Sequence, residues 1–170
     1  MIATRDTILI NLIYNPKIGS VYIPDEAKQY SGEYVGEVVS VGEEYPYPDE
    51  LKKGDKIYYP RLEGFKVHAK KEYLSLQEKW VVAKVGDYPI PIGDRVTIEP
   101  FPPKEKIGSV YLPDEEKETQ EGKVIAVGKE VKGFAVNDIV IFGELFATDI
   151  TVNDKKYIIY KEKEIMGVKK

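Results

Sequence analysis

The chain of 170 residues has no cysteine, one histidine, one tryptophan and two methionines. Without cysteine, disulfides, thiolate metal sites and cysteine nucleophiles are excluded, and the lack of disulfides fits a reducing compartment. No apolar run approaches the roughly 20 residues needed to span a bilayer as a helix. The opening MIATRDTILINL has neither the basic and apolar regions of a signal peptide nor an Arg/Ser-rich transit composition. Positive charge is in deficit too. A net charge of −4 argues against nucleic acid or an anionic membrane as partner. There is no paired nucleophile and base, no phosphate loop and no metal-ligand spacing. The single histidine, His68, lies near Lys66, Lys70 and Lys71 and reads as a surface strand residue. The expectation is a cytoplasmic protein that is not an enzyme and holds no cofactor or metal.

What the chain does have is a repeat. Lys17 to Glu26 reads KIGSVYIPDE and Lys106 to Glu115 reads KIGSVYLPDE, nine of ten positions being identical. Identity of that length signals an internal duplication. It divides the chain into two domains, 1–86 and 87–170. Units of that size bury only about 60–65 % of their unfolded surface, so each gains from a partner.

Nearly everything else reads as strand and turn. In the first unit, Thr7 to Ile13, Tyr34 to Val41 and Lys56 to Tyr59 are rich in β-branched and aromatic residues and end at Gly, Pro or Asn signals. Lys66 to Ala69 and Tyr73 to Leu76 flank a polar turn, and Trp80 to Val85 closes the unit. The second unit repeats the order with Asp94 to Glu99, Lys123 to Val127, Asp138 to Phe142, Asp149 to Val152, Tyr157 to Tyr160 and Ile165 to Val168. Lys161 to Glu164 suits a helical turn. The connection from Gly86 to Pro91 is too short and proline-stiffened to be a free tether. Short strands at regular spacing without helical periodicity predict an all-β chain of two small antiparallel β-barrels in tandem. Trp80 is expected in a core or between domains, and Tyr45 and Tyr47 in loop packing.

The repeated decapeptide is an apolar tripeptide on a Gly-Ser stem. It lies between flanks that are charged, rich in Gly and Pro and poor in large apolar residues, a composition that does not offset the entropy of ordering. That pattern predicts a mobile loop carrying a docking segment in each unit. In extended form Val21 and Ile23 would share one face and Tyr22 the other. A plain strand entered through a glycine turn is the simpler reading of either copy alone.

The second unit presents, in order, Asp94-Arg95-Val96, then Gly108 to Pro113, Gln120 to Gly128, Asp138 to Phe142 and Tyr157 to Ile159. That series resembles the GroES (ten-kilodalton co-chaperonin) family across the whole unit. The first unit resembles it more loosely, through Gly19 to Pro24, Gly36 to Gly42 and Gly54-Asp55. The whole chain is therefore similar to a tandem double-domain co-chaperonin.

The resemblance implies a homo-oligomeric ring that caps a GroEL-type chaperonin in an ATP-dependent cycle and encloses unfolded client proteins. It assigns chaperonin binding to Gly19, Ser20, Val21, Tyr22 and Ile23 and to Gly108, Ser109, Val110, Tyr111 and Leu112. The central Tyr22 and Tyr111 are bulkier than the aliphatic residue the family leads one to expect. The family's roof hairpin is expected to be shortened or absent, because only Glu43 to Gly54 and Lys129 to Asn137 are available for it. The resemblance also implies that Trp80 to Val85 pairs with Asp94 to Glu99, and that Ile165 to Val168 meets Thr7 to Ile13 of the next chain. The alternative is a tandem β-barrel adaptor showing two peptide-like loops to a different partner. A fragment of a medium-chain dehydrogenase, which also carries such barrels, lacks its nucleotide-binding βαβ unit here.

Overall fold

A computed structural model describes residues 2–13, 17–18, 21–22, 34–60, 65–68, 72–102, 106–107, 110–111, 120–143 and 148–169. The chain divides into two compact units, Met1–Gly93 and Asp94–Lys170. Both are built of antiparallel strands and, among the described residues, contain no α-helix.

In the first unit the strands are β1 (Thr7–Ile13), β2 (Lys17–Ile18), β3 (Val21–Tyr22), β4 (Tyr34–Val41), β5 (Lys56–Tyr59), β6 (Phe65–His68), β7 (Glu72–Gln77), β8 (Ala83–Lys84) and β9 (Ile90–Pro91). Seven of them form one sheet in the order β6-β7-β1-β4-β5-β8-β9, and β2 with β3 forms a separate hairpin. The second unit has β10 (Arg95–Pro100), β11 (Lys106–Ile107), β12 (Val110–Tyr111), β13 (Glu121–Val127), β14 (Ile139–Phe142), β15 (Thr148–Val152), β16 (Lys155–Lys161) and β17 (Ile165–Lys169). Here the sheet order is β15-β16-β10-β13-β14-β17, with β11 and β12 as the separate hairpin.

The duplication extends to the register. Ile10 faces Val38 on β4 and Leu74 on β7, as Ile98 faces Val124 on β13 and Ile158 on β16. The pairing slips between Leu9 and Ile10 and, at the matching place, between Thr97 and Ile98. A bulge kept in both copies bends the strand that carries it, and in sequence that strand leads to the repeated decapeptide. Alternation then fills one core per unit. Ile8, Ile10, Val38, Ile57, Leu74 and Leu76 centre the first, while Val96, Ile98, Val124, Val140, Ile158 and Tyr160 centre the second.

The predicted strands are found within a residue or two of their expected bounds, except that the closing strand expected over Trp80 to Val85 is only Ala83–Lys84, with Trp80 in a 3-10 turn. The helical turn expected at Lys161 to Glu164 is a 3-10 turn over Glu162–Glu164, and its copy in the first unit is Glu78–Trp80. In the second, Glu164 Oε2 accepts from the Lys161 N–H at 3.0 Å, closing the turn on itself. Trp80 packs partly buried against the first core, with the Lys79 ammonium 4.9 Å from its ring centre. Tyr45 is buried there and meets Tyr47 edge-on, 6.1 Å between ring centres. No strand forms between Gly42 and Asp55 or between Gly128 and Asp138, so the roof hairpin is absent from both units.

Two expected pairings are corrected. β10 has both edges occupied inside its own unit, by β13 and β16, and β8 lies between β5 and β9. Trp80 to Val85 therefore does not pair with Asp94 to Glu99. Likewise Thr7 to Ile10 lies between β4 and β7, which leaves it no free edge for Ile165 to Val168. Besides the short strands β2, β3, β11 and β12, which lie where mobile loops were expected, the sequence reading missed β9, inside the connection that looked like a mere linker. It pairs Pro91 with Ala83 and Ile90 with Lys84. A two-residue strand with a proline gives no periodic signal, since proline supplies no ladder donor and marks an edge.

Candidate docking hairpins

The two copies of the decapeptide form the same local structure. Lys17 pairs with Tyr22 and Ile18 with Val21; in the second unit Lys106 pairs with Tyr111 and Ile107 with Val110. Between the paired residues the sequence has Gly-Ser in both copies. Of the proposed docking residues, Val21, Tyr22, Val110 and Tyr111 lie on these short strands. Gly19, Ser20, Ile23, Gly108, Ser109 and Leu112 lie outside the described residues.

Each hairpin is reached through a stem whose closing pairs are well formed. In the first unit Leu12 pairs with Gly36 and Ile13 with Val35. In the second Pro100 pairs with Gly122, and the Phe101 N–H donates to the Glu121 carbonyl at 2.9 Å. Gly36 and Gly122 matter for packing. A Cβ on Gly122 would meet Ile98 Cγ2 at 2.5 Å and the Glu99 carbonyl oxygen at 2.7 Å. At Gly36 it would run into the Ile10 side chain. These glycines let the outgoing strand press on the core isoleucine of the incoming one. In the sequence they served only as markers of the repeat, because close approach is a property of two strands.

Among the described residues no group of three or more His, Asp or Glu is placed to hold a metal, and no helix is long and apolar enough to cross a membrane. Among the described residues, one carboxyl departs clearly from its ordinary behaviour. Exposed Glu43 is held below the usual carboxylate range by the backbone N–H of Glu43 itself, then by that of Arg5 and by the Arg5 charge.

The sequence model of the family described as "Chaperonin 10 Kd subunit" matches residues 1–85 and again 89–169. The "Co-chaperonin GroES" of Rhodothermus marinus is 40 % identical over 88 residues, which is 46 % of this chain and 88 % of that protein. That of Thermodesulfovibrio yellowstonii is 40 % identical over 82 residues, covering 46 % of this chain and 92 % of the relative. That of Pelagibacter ubique is 42 % identical over 89 residues, covering 46 % and 93 % respectively. Each relative is thus matched almost whole by about half of this chain. The sequence matches and the repeated register agree: this chain belongs to the chaperonin 10 Kd subunit family and carries the family's domain twice.

Proposed function

We propose that the protein is a non-catalytic cytoplasmic co-chaperonin, with repeats 1–86 and 87–170, that caps a GroEL-type chaperonin in an ATP-dependent cycle and encloses folding clients. Docking is assigned to Val21-Tyr22-Ile23 and Val110-Tyr111-Leu112, each with the Gly-Ser pair that precedes it in sequence, Gly19-Ser20 and Gly108-Ser109. The observation that carries this reading is the hairpin itself, formed twice in one register on one sequence. Two equivalent display elements are what a multivalent binder requires.

The energetics suit a lid. Ordering a segment on docking costs roughly 1–2 kcal/mol per residue fixed, so each contact is weak by itself. Several weak contacts on one assembly combine through effective concentration into tight capping. A modest change in the partner's grooves then releases all of them together, as a lid that leaves on each cycle requires. The assembly that supplies enough hairpins is a homo-oligomeric ring of this chain.

The test is co-sedimentation with a GroEL-type chaperonin, with and without ATP or ADP. Association should need nucleotide and vanish when Val21, Ile23, Val110 and Leu112 are all replaced by serine. Capping by that quadruple variant would refute the docking assignment. Binding that is indifferent to nucleotide would instead favour an adaptor.

A further inference from the structure

Each hairpin carries two opposed pairs, and the register decides which residues share a face. Lys17 stands opposite Tyr22 and Ile18 opposite Val21; in the second copy Lys106 stands opposite Tyr111 and Ile107 opposite Val110. Residues directly opposed in an antiparallel pair lie on one face, and neighbours along a strand lie on opposite faces. One face of each hairpin therefore carries Ile18 and Val21, or Ile107 and Val110. The other carries Lys17 and Tyr22, or Lys106 and Tyr111. The tripeptide is divided by this arrangement. Tyr22 does not share the face of Val21, whereas Ile18, which lies outside the tripeptide, does.

The identity between the copies begins at the first paired residue. KIGSVY is the same in both from Lys17 to Tyr22 and from Lys106 to Tyr111, whereas the residues just before, Tyr14-Asn15-Pro16 and Pro103-Lys104-Glu105, share none. In the stem, Leu12 opposite Gly36 stands where the second unit has Pro100 opposite Gly122. Pairing there has tolerated exchange, and a lysine opposite a tyrosine is only one of many pairs that hold strands together. Among the described residues, β2 with β3 and β11 with β12 are sheets of their own, so neither main sheet requires these pairs. Their retention in both copies reflects what the hairpin meets. Lys17 and Lys106 are also the one charged position in each paired set. They are positive in a chain of net charge −4, and acids follow each hairpin at Asp25-Glu26 and Asp114-Glu115. A charge of the minority sign kept beside an apolar docking face is complementary to negative charge on the partner. Tyrosine suits the same surface, because it joins an apolar body to a hydroxyl that can donate to a carboxylate.

We propose that each hairpin docks through both of its faces. Ile18 and Ile107 join Val21 and Val110 as apolar anchors, while the pairs Lys17–Tyr22 and Lys106–Tyr111 meet carboxylates at the rim of the same chaperonin groove. The docking element is then the two cross-strand pairs, of which the tripeptide supplies only part. This deepens the docking assignment made above and rests on it. The two faces do different work. Apolar burial governs how slowly the lid leaves, and charge complementarity governs how fast it arrives and which partner it accepts. A chaperonin whose groove has no acidic rim would be a poor partner for this chain.

The test measures association and dissociation rates of the full chain on a nucleotide-bound GroEL-type chaperonin at low and high salt. I18S with I107S should speed dissociation about tenfold or more, as V21S with V110S does, and I18V with I107V should restore it. K17Q with K106Q should slow association about tenfold at low salt and flatten its dependence on ionic strength, because salt screens an exposed charge attraction. K17R with K106R should behave as the parent. K53Q with K129Q removes the same charge from exposed lysines outside the hairpins and should leave both rates unchanged. Thermal unfolding of every hairpin variant should match the parent. Parent-like dissociation of I18S with I107S overturns the proposal, as does a parent-like salt dependence of K17Q with K106Q, or an equal loss in K53Q with K129Q. In each of those cases capping by the unaltered protein leaves the tripeptide assignment standing. An unaltered protein that does not cap at all refutes the proposed function, and this inference with it.

Discussion

Gly122 lies so close to Ile98 that a single added carbon would stand 2.5 Å from Ile98 Cγ2, and Gly36 has the same relation to Ile10. Both contacts sit where the strand leaving a hairpin crosses the core of its unit. Gly122→Ala should destabilise the second unit by about 1–3 kcal/mol through overpacking, with backbone shift at the stem. Urea unfolding is the measure. A midpoint equal to that of the parent would show that the core yields at Ile98 without cost.

The roofless segment of the second unit is held by one carboxylate. Glu162 Oε1 accepts from the Lys132 N–H at 2.9 Å and from the Gly133 N–H at 2.5 Å. Hydrogen bonds to a charged acceptor are the stronger kind, but these are solvent-exposed, so Glu162→Ala should cost only about 1 kcal/mol. The sharper signature is local. Amide hydrogen exchange at Lys132 and Gly133 should accelerate while the strands of the same unit keep their protection.

Glu43 lends the first unit a pH-dependent contribution. Its folded pKa is lowered by the Glu43 and Arg5 backbone amides and by the Arg5 charge. A lowered folded pKa gives stability that is present above the ordinary carboxylate range and lost as pH falls through the lowered value. Glu43→Gln should lower stability slightly at neutral pH and remove that part of the acid limb, so that the variant and the parent converge as pH falls. Carbon-detected NMR titration should place the Glu43 midpoint below the ordinary carboxylate range.

The hairpins predict graded loss. Replacing Val21 and Ile23 by serine, or Val110 and Leu112 alone, should each weaken nucleotide-dependent capping by a similar factor, about 10-fold to 100-fold if contacts combine by effective concentration. Strongly unequal factors, measured by titration against the chaperonin, would show that the two copies do different work.

The sequence by itself determined the duplication, the all-β class and the order of the strands. Nine shared positions in the decapeptide and alternating apolar residues in strands such as Thr7 to Ile13 are local signals, and β1, β4 and β5 keep their expected bounds. It also selected the hairpins as the candidate site, because an apolar tripeptide on a Gly-Ser stem stands out against polar flanks. Only the tertiary structure decided which strands are neighbours. β10 could not join Trp80 to Val85, since β13 and β16 already take both of its edges. Edge occupancy is set by contacts far apart in the chain, so no local pattern records it. For the same reason Met166 looked like any other residue of a closing strand. Its exposure, beside the burial of Val82, depends on β9, two residues that cover one unit and leave the other open.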